Sequence, residues 1–424
     1  MFGRSHWLAV TVWVAIIVGC NCAAGQGAIP SARPPSKSYP LHGEINSGDI
    51  SPDEALIALE RTSKHKTNGS EVRFAEVIEV WDFRADKLVA QVELREGDVK
   101  QDTYGHSFDP QRDPRFVRFT GDGNLVVAYC DHKLTIFQTK DLAVVRSIML
   151  EGPPSVSRSF VSKRTGPHTV TDWPVVQALE TAPSATLVAV LWTRGMLYGR
   201  LEIYDLSSGL PVMAWDPPGG WTSFDRNRGL SWSSTSQTVF LAVPSAIPCL
   251  SPLSLPDVFG LDARSGAIQT KITTGLLVGD IATTPRHEIL AVDSNCVGVF
   301  KNHHPKLKVF DVGTGKHLRD VSAHGRGVRY RVSVSRNGQR AVAWTSDVKC
   351  HFDWGDMVCN DRSVNLEFTV WHLPDFSVIA TSQDLYSADI LRISSSGRYV
   401  LSYRSGQSIS GATRGGSGAV YEFP

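Results

Sequence analysis

One pattern recurs seven times along the chain, and no other feature of the sequence restricts its fold as strongly. Each copy has a short strand, a tight polar turn, an apolar strand, a connection of variable length, and a strand ending in an aromatic residue or Leu, often followed by Asp. The clearest copy spans residues 114–150, PRFVRF-TGDGN-LVVAYC-DHK-LTIFQTKDLAVVRSIML. Its turn, Gly121-Asp122-Gly123-Asn124, supplies the residues that tolerate positive φ. The apolar runs align as LIAL (56–59), LVVA (125–128), LVAV (187–190), VFLA (239–242), ILAV (289–292), AVAW (341–344) and YVLS (399–402). The third segments end in Trp81-Asp82, Phe137-Gln138, Tyr204-Asp205, Leu261-Asp262, Phe310-Asp311, Trp371-His372 and Tyr421-Glu422.

Turns such as DLSSGL, DARSGA and DVGTGK follow the third segments, where an Asp accepts backbone N–H bonds ahead of a left-handed Gly. Apolar runs of four residues without alternation predict strands buried on both faces. The segment SPDEALIALERTSK is rich in helix formers, yet it aligns with GDGNLVVAYC, and the repeat predicts a strand there.

These repeats resemble the WD-repeat and YVTN-type β-propellers over nearly all of residues 40–424, with Trp-Asp closing the third segment at Trp81-Asp82 and a Gly-His pair at Gly105-His106. The resemblance implies an all-β, seven-bladed β-propeller over residues 39–424 and identifies no functional subfamily. At about 55 residues each, the copies exceed the roughly 40–45 of a plain WD repeat, and the surplus falls in the connections. The last copy ends just after Glu422 and lacks an outer strand. The segment Ser36 to His42 is predicted to supply it, closing the ring with the N-terminal end and removing an unpaired edge. Pro40 suits such an outermost strand.

Residues 1–25 read as a signal peptide: Arg4 gives the charged region, and Trp7 to Val18 is apolar apart from Thr11, too short for the ~20 residues of a membrane span. Cleavage after Ala24 or Gly25 gives a free protein. Alternatively, Ile17-Val18-Gly19-Cys20 resembles a bacterial lipobox, with lipidation at Cys20. Residues 26–38 read as a flexible linker. The expected location is therefore outside the cytoplasm: periplasmic, extracellular or lipid-anchored in the envelope. There, Cys350 and Cys359, nine apart in what reads as an irregular segment, are expected to form a disulfide, with Cys249 and Cys296 as a second pair. Cys130 ends an apolar strand and reads as a buried thiol packed as a small hydrophobe.

Candidate ligand-facing residues lie in the long connections. In a four-stranded blade the second-to-third and blade-to-blade connections share one face. Those at 61–76, 95–113, 151–173, 194–200, 216–228, 244–257, 293–306, 346–365 and 404–418 are long, whereas the turns of the opposite face are short. The segment 346–361 carries His351, Asp353, Trp354 and Asp356 between its cysteines. One reading is a divalent-cation site. The favoured reading is a disulfide-pinned loop with solvated acids, because the spacing matches no metal motif. His303 and His304 are adjacent, so an extended chain points them apart, and a solvated loop is favoured. Trp173 and Trp221 suit either a ligand platform or the pinning of long loops, the latter favoured.

No cofactor and no metal are expected. Neither a GxSxG, SxxK nor P-loop motif is present, and 43 basic against 42 acidic residues give no pull toward nucleic acid. The expectation is a monomeric, non-catalytic binding protein for an envelope or extracellular protein, peptide or glycan. The alternative is an extracytoplasmic enzyme, either a polysaccharide hydrolase or lyase or a quinoprotein-like oxidoreductase, with its site at the channel mouth.

Overall fold

The structure is a computed structural model, and it describes residues 34–41, 45–66, 72–98, 115–130, 132–162, 166–172, 174–194, 198–217, 229–243, 258–275, 278–293, 306–322, 331–346, 349–353, 356–360, 366–384, 390–403 and 418–424. Seven antiparallel four-stranded sheets form a ring of blades, a seven-bladed β-propeller, and no helix occurs among the described residues. The innermost strands, in blade order, are Ile45–Ile50, Phe116–Phe119, Pro174–Thr181, Leu230–Trp232, Val278–Thr283, Arg331–Val334 and Ile390–Ile393. All seven aligned apolar runs are second strands, and the third strands that close before a turn end at Asp82, Gln138, Asp205, Asp262, Asp311, His372 and Glu422 as the repeat predicts. The helix-favouring segment is a turn over residues 51–56 and then the strand Ile57–Lys66. Pairing in the sheet overrides its local propensity.

The core is a set of seven wedges, one in each gap between neighbouring blades. The second strand of blade 2 shows why its sequence does not alternate. Val126 and Ala128 pack toward blade 1, while Val127 and Tyr129 pack toward blade 3, so both faces are dry. Each fully buried aliphatic side chain contributes roughly 1.5–3 kcal/mol.

The turns repeat more faithfully than their residues. In every first-to-second turn, the fourth residue donates its N–H to the first residue's carbonyl and has positive φ: Glu54, Gly123, Ala185, Ser236, His287, Gly338 and Gly397. In six blades the third-to-outer turn also has a positive-φ residue: Asp86, Leu142, Gly209, Gly266, Gly315 and Phe376. The Asp-to-Gly turns form as expected. Asp205 Oδ1 accepts from the amides of Ser207 at 3.0 Å and Ser208 at 2.7 Å ahead of Gly209, and Asp262 and Asp311 repeat the arrangement.

Closure follows the predicted route. Strand Lys37–Leu41 pairs antiparallel with Gly418–Glu422, Lys37 opposite Glu422 and Pro40 opposite Ala419, as the outer strand of blade 7. The Tyr39 hydroxyl donates to Glu422 at 3.1 Å, and its ring meets Phe83 of blade 1 edge-on at 5.3 Å. Residues 1–33, including the signal segment and Cys20, lie outside the described residues.

Candidate functional site

Two places in the ring depart from what blade-building requires: the axis, and the face formed by the second-to-third and blade-to-blade connections. On that face, several segments expected as loops are ordered hairpins. Blade 1 extends its second, third and outer strands to 10, 11 and 12 residues. A hairpin of Val156–Ser162 and Gly166–Asp172 stands between blades 2 and 3. Another, Lys349–Asp353 with Asp356–Asn360, rises from blade 6.

This last hairpin corrects the reading of an irregular segment around Cys350 and Cys359. Its register sets Cys350 directly opposite Cys359, His351 opposite Val358, and Asp353 opposite Asp356. Backbone pairing accounts for the order, since each residue from Lys349 to Asp353 meets a partner across the ladder. Trp173, Trp221, His303, Trp354, Cys249 and Cys296 lie outside the described residues. Cys130 is buried as expected, but it is more than a small hydrophobe: its thiol donates to Glu76 Oε2 at 2.9 Å, and Glu76 pairs with Arg115. Burial first, then Glu76, pushes this thiol far up, which favours its protonated form.

The axis holds residues that the strand alignments passed over. Asp49, Arg118, Glu180, Ser231, Ala282, Ser333 and Arg392 occupy equivalent places on the seven innermost strands, two residues before the start of each tight turn. Asp280 and Arg331 sit two residues earlier on theirs, on the same side of the strand as Ala282 and Ser333. A sequence signal existed for them: a charge within an otherwise apolar first strand, as in FVRF, ALET and ILRI.

Several of these groups stitch blade to blade. Asp49 Oδ2 accepts from the Phe119 amide at 2.9 Å, and Ser47 Oγ from the Val117 amide at 3.0 Å. Ser231 Oγ accepts from the Thr283 amide at 3.1 Å, and Asp280 from the amides of Val332 at 3.2 Å and Ile281 at 3.0 Å. Arg392 of blade 7 crosses the axis and donates to Glu180 Oε1 of blade 3. Arg118 of blade 2 donates to the same oxygen at 3.5 Å. Near the turns, Arg336 of blade 6 reaches the Gly121 carbonyl of blade 2 at 2.6 Å.

The charges respond to this crowding. For Glu180, burial alone would raise the carboxyl, but Arg392 and Arg118 outweigh it and hold it below its ordinary value. Burial opposes the Arg392 charge, yet Glu180 and Asp49 hold it above its ordinary value. Burial, then Arg392, lowers Arg118. Burial raises Asp49 and Asp280 against the pull of neighbouring arginines and amides.

A cavity of about 270 Å3 lies along this axis. Its rim residues, among them Pro183, Ser234, Pro285, Arg336 and Ser395, belong to first-to-second turns, so it opens on the short-turn face, opposite the hairpins. Carboxylates from three blades line it, but no histidine does among the described residues.

No protein-family profile matches the sequence. No curated protein matches it either. Similarity to solved structures bears on fold alone. Raptor from Chaetomium thermophilum aligns at a TM-score of 0.57 and 9% identity over 93% of this chain, which spans 29% of the length of Raptor. Hydrazine synthase from Kuenenia stuttgartiensis aligns at a TM-score of 0.45 and 12% identity, over 68% of this chain and 72% of that one, too weakly to carry an argument.

Proposed function

We propose that this chain is an exported, non-catalytic β-propeller that binds a protein, peptide or glycan of the envelope or extracellular space through its long-connection face. The carrying observation is the one-sided distribution of extra structure. The extended strands of blade 1 and both added hairpins arise from the same set of connections, while the described turns of the opposite face stay tight. A rigid ring needs none of these additions to close, and hairpins on a rigid scaffold present a fixed surface to a partner. The apolar segment Trp7 to Val18 and the small residues after it support export. Pull-down from envelope extract with the chain from residue 26 onward tests the reading. Specific capture should depend on residues 346–365, with thermal melting used to show that the loop-deleted protein remains folded. Equal capture by both forms would sink it.

One observation favours a second reading, an extracytoplasmic enzyme: Asp49, Glu180 and Asp280 approach the axis from three separate blades. Their present bonds argue for a structural role, because Glu180 serves two guanidiniums and both aspartates hold neighbouring backbone amides. Release of reducing ends from envelope polysaccharide, lost in Asp280→Asn, would replace binding by catalysis.

A further inference from the structure

We propose that the axial cavity is a binding site for a small oxyanion, a carboxylate or phosphate group, seated among Arg118, Arg331 and Arg392 beside the hydroxyl of Ser333. This site is separate from the hairpin face and does not rest on the function proposed for that face.

The argument begins with charge. Four guanidiniums line the cavity, those of Arg118, Arg331, Arg336 and Arg392, against the carboxyls of Asp49, Glu180 and Asp280. Arg118 and Arg392 both donate to the same oxygen, Glu180 Oε1, so two cations share one carboxylate. Two like charges held this close repel, and an anion added to Glu180 and Asp49 would relieve that repulsion further. Among the described residues, the Nε–H groups of both Arg118 and Arg392 are buried without a hydrogen-bond acceptor.

The acids, by contrast, are already engaged. Asp49 and Asp280 accept from backbone amides across blade interfaces, and Glu180 is held by the two arginines. A cation entering the cavity would meet four guanidiniums, and carboxyls that each already accept at least one hydrogen bond. An oxyanion would meet donors. Guanidiniums are suited to this, because their planar fork matches the oxygens of a carboxylate or phosphate.

Size and access agree. The cavity of about 270 Å3 far exceeds the volume of one water and is close to the lower end of small-molecule pockets. Blade-to-blade stitching explains Ser47, Asp49, Ser231 and Asp280. It does not explain an open polar space bordered by Arg331, Ser333 and Arg392, all partly accessible from it.

The test is calorimetric titration and thermal melting of the chain from residue 26 onward with sodium phosphate, sodium succinate and sodium acetate, ionic strength being held constant with sodium chloride. The expected result is saturable heat and a saturable rise in melting temperature with phosphate or with a carboxylate, the separate arms showing which. Chloride should give neither. Arg331→Gln removes a donor, and Ser333→Phe fills the cavity without changing its charge. Each should weaken binding at least tenfold, and melting curves without anion establish which variants are folded. Absence of saturable binding to every oxyanion overturns the proposal, as does undiminished binding in a folded variant of either kind.

Discussion

Arg392, on the innermost strand of blade 7, donates across the axis of the ring to Glu180 on the innermost strand of blade 3, 212 residues away in sequence. Neither strand neighbours the other, so this bond ties together blades that no sheet or apolar wedge connects. Arg118 supports the same carboxylate from blade 2.

Arg392→Gln should destabilise the protein by roughly 2–3 kcal/mol, because it leaves Glu180 partly buried with one distant guanidinium. Glu180 has a depressed folded-state carboxyl, so its stabilisation is present above the ordinary carboxylate value and is lost as pH falls through the folded one. The variant should therefore lose part of that acid-side dependence. Denaturant unfolding between pH 3 and 7 measures both effects. An unchanged midpoint at neutral pH would remove the cross-axis tie from any account of stability.

Asp280 has the opposite sign. Burial foremost raises its folded-state value, so its protonated form is the one that favours folding. That contribution is complete below the unfolded value of about 3.9 and is lost as pH rises through the folded one. Asp280→Asn removes the charge and keeps one acceptor oxygen, so it holds one of the Val332 and Ile281 amides at a roughly pH-independent cost for the other. Its stability relative to wild type should rise as pH climbs from about 4, starting below wild type near pH 3 by the lost amide bond. Thermal melts across that window decide it.

The closing strand makes a third prediction. Tyr39→Ala removes the edge contact with Phe83 and the bond to Glu422, and should cost about 2 kcal/mol. Removing residues 25–42 should lower the melting temperature far more, or cause aggregation from the bare edge of Gly418–Glu422. Removing residues 25–34 should do neither, since the paired strand begins at Lys37.

Ala185→Gly should stabilise the protein by about 0.5 kcal/mol, because Ala185 has a φ of 66° where three sister turns carry glycine. Leu142→Gly should do the reverse. Leu142 also has positive φ, but its side chain is buried in the wedge between blades 1 and 2. Lost packing of roughly 2–5 kcal/mol exceeds the relieved strain. Chemical denaturation of the two variants should shift in opposite directions.

Cys350 and Cys359, opposite each other in their hairpin, should be bonded when the protein is produced in an oxidising compartment. Such a short loop would gain roughly 2–3 kcal/mol by the chain-entropy argument. Non-reduced peptide mapping that recovers both as free thiols would exclude the bond.

The strands were legible because their signal is local. A four-residue apolar run such as Val126 to Tyr129 reports burial on two faces, and an Asp followed by Gly reports its own turn. The closing strand was also legible, because the last repeat lacks a strand that its first-met segment can supply. The turn at Ala185 and the turn at Leu142 were not visible as positive-φ positions: Ala and Leu carry no preference for that region, and the surrounding hairpin imposes it. The hairpin around Cys350 was read as irregular because its short strands mix charged and apolar residues without a clean period.

The sequence by itself determined the blade, its number and its closure, because each rests on hydrogen bonds and burial within about 50 residues or on a missing strand at one end. Only the tertiary structure decided what meets at the axis. Asp49, Arg118, Glu180, Asp280, Arg331 and Arg392 are each the one charge in a separate innermost strand, and nothing local states which of them will face one another. Ring closure brings them together, and the low polarisability of the surrounding wedges makes their pairing matter.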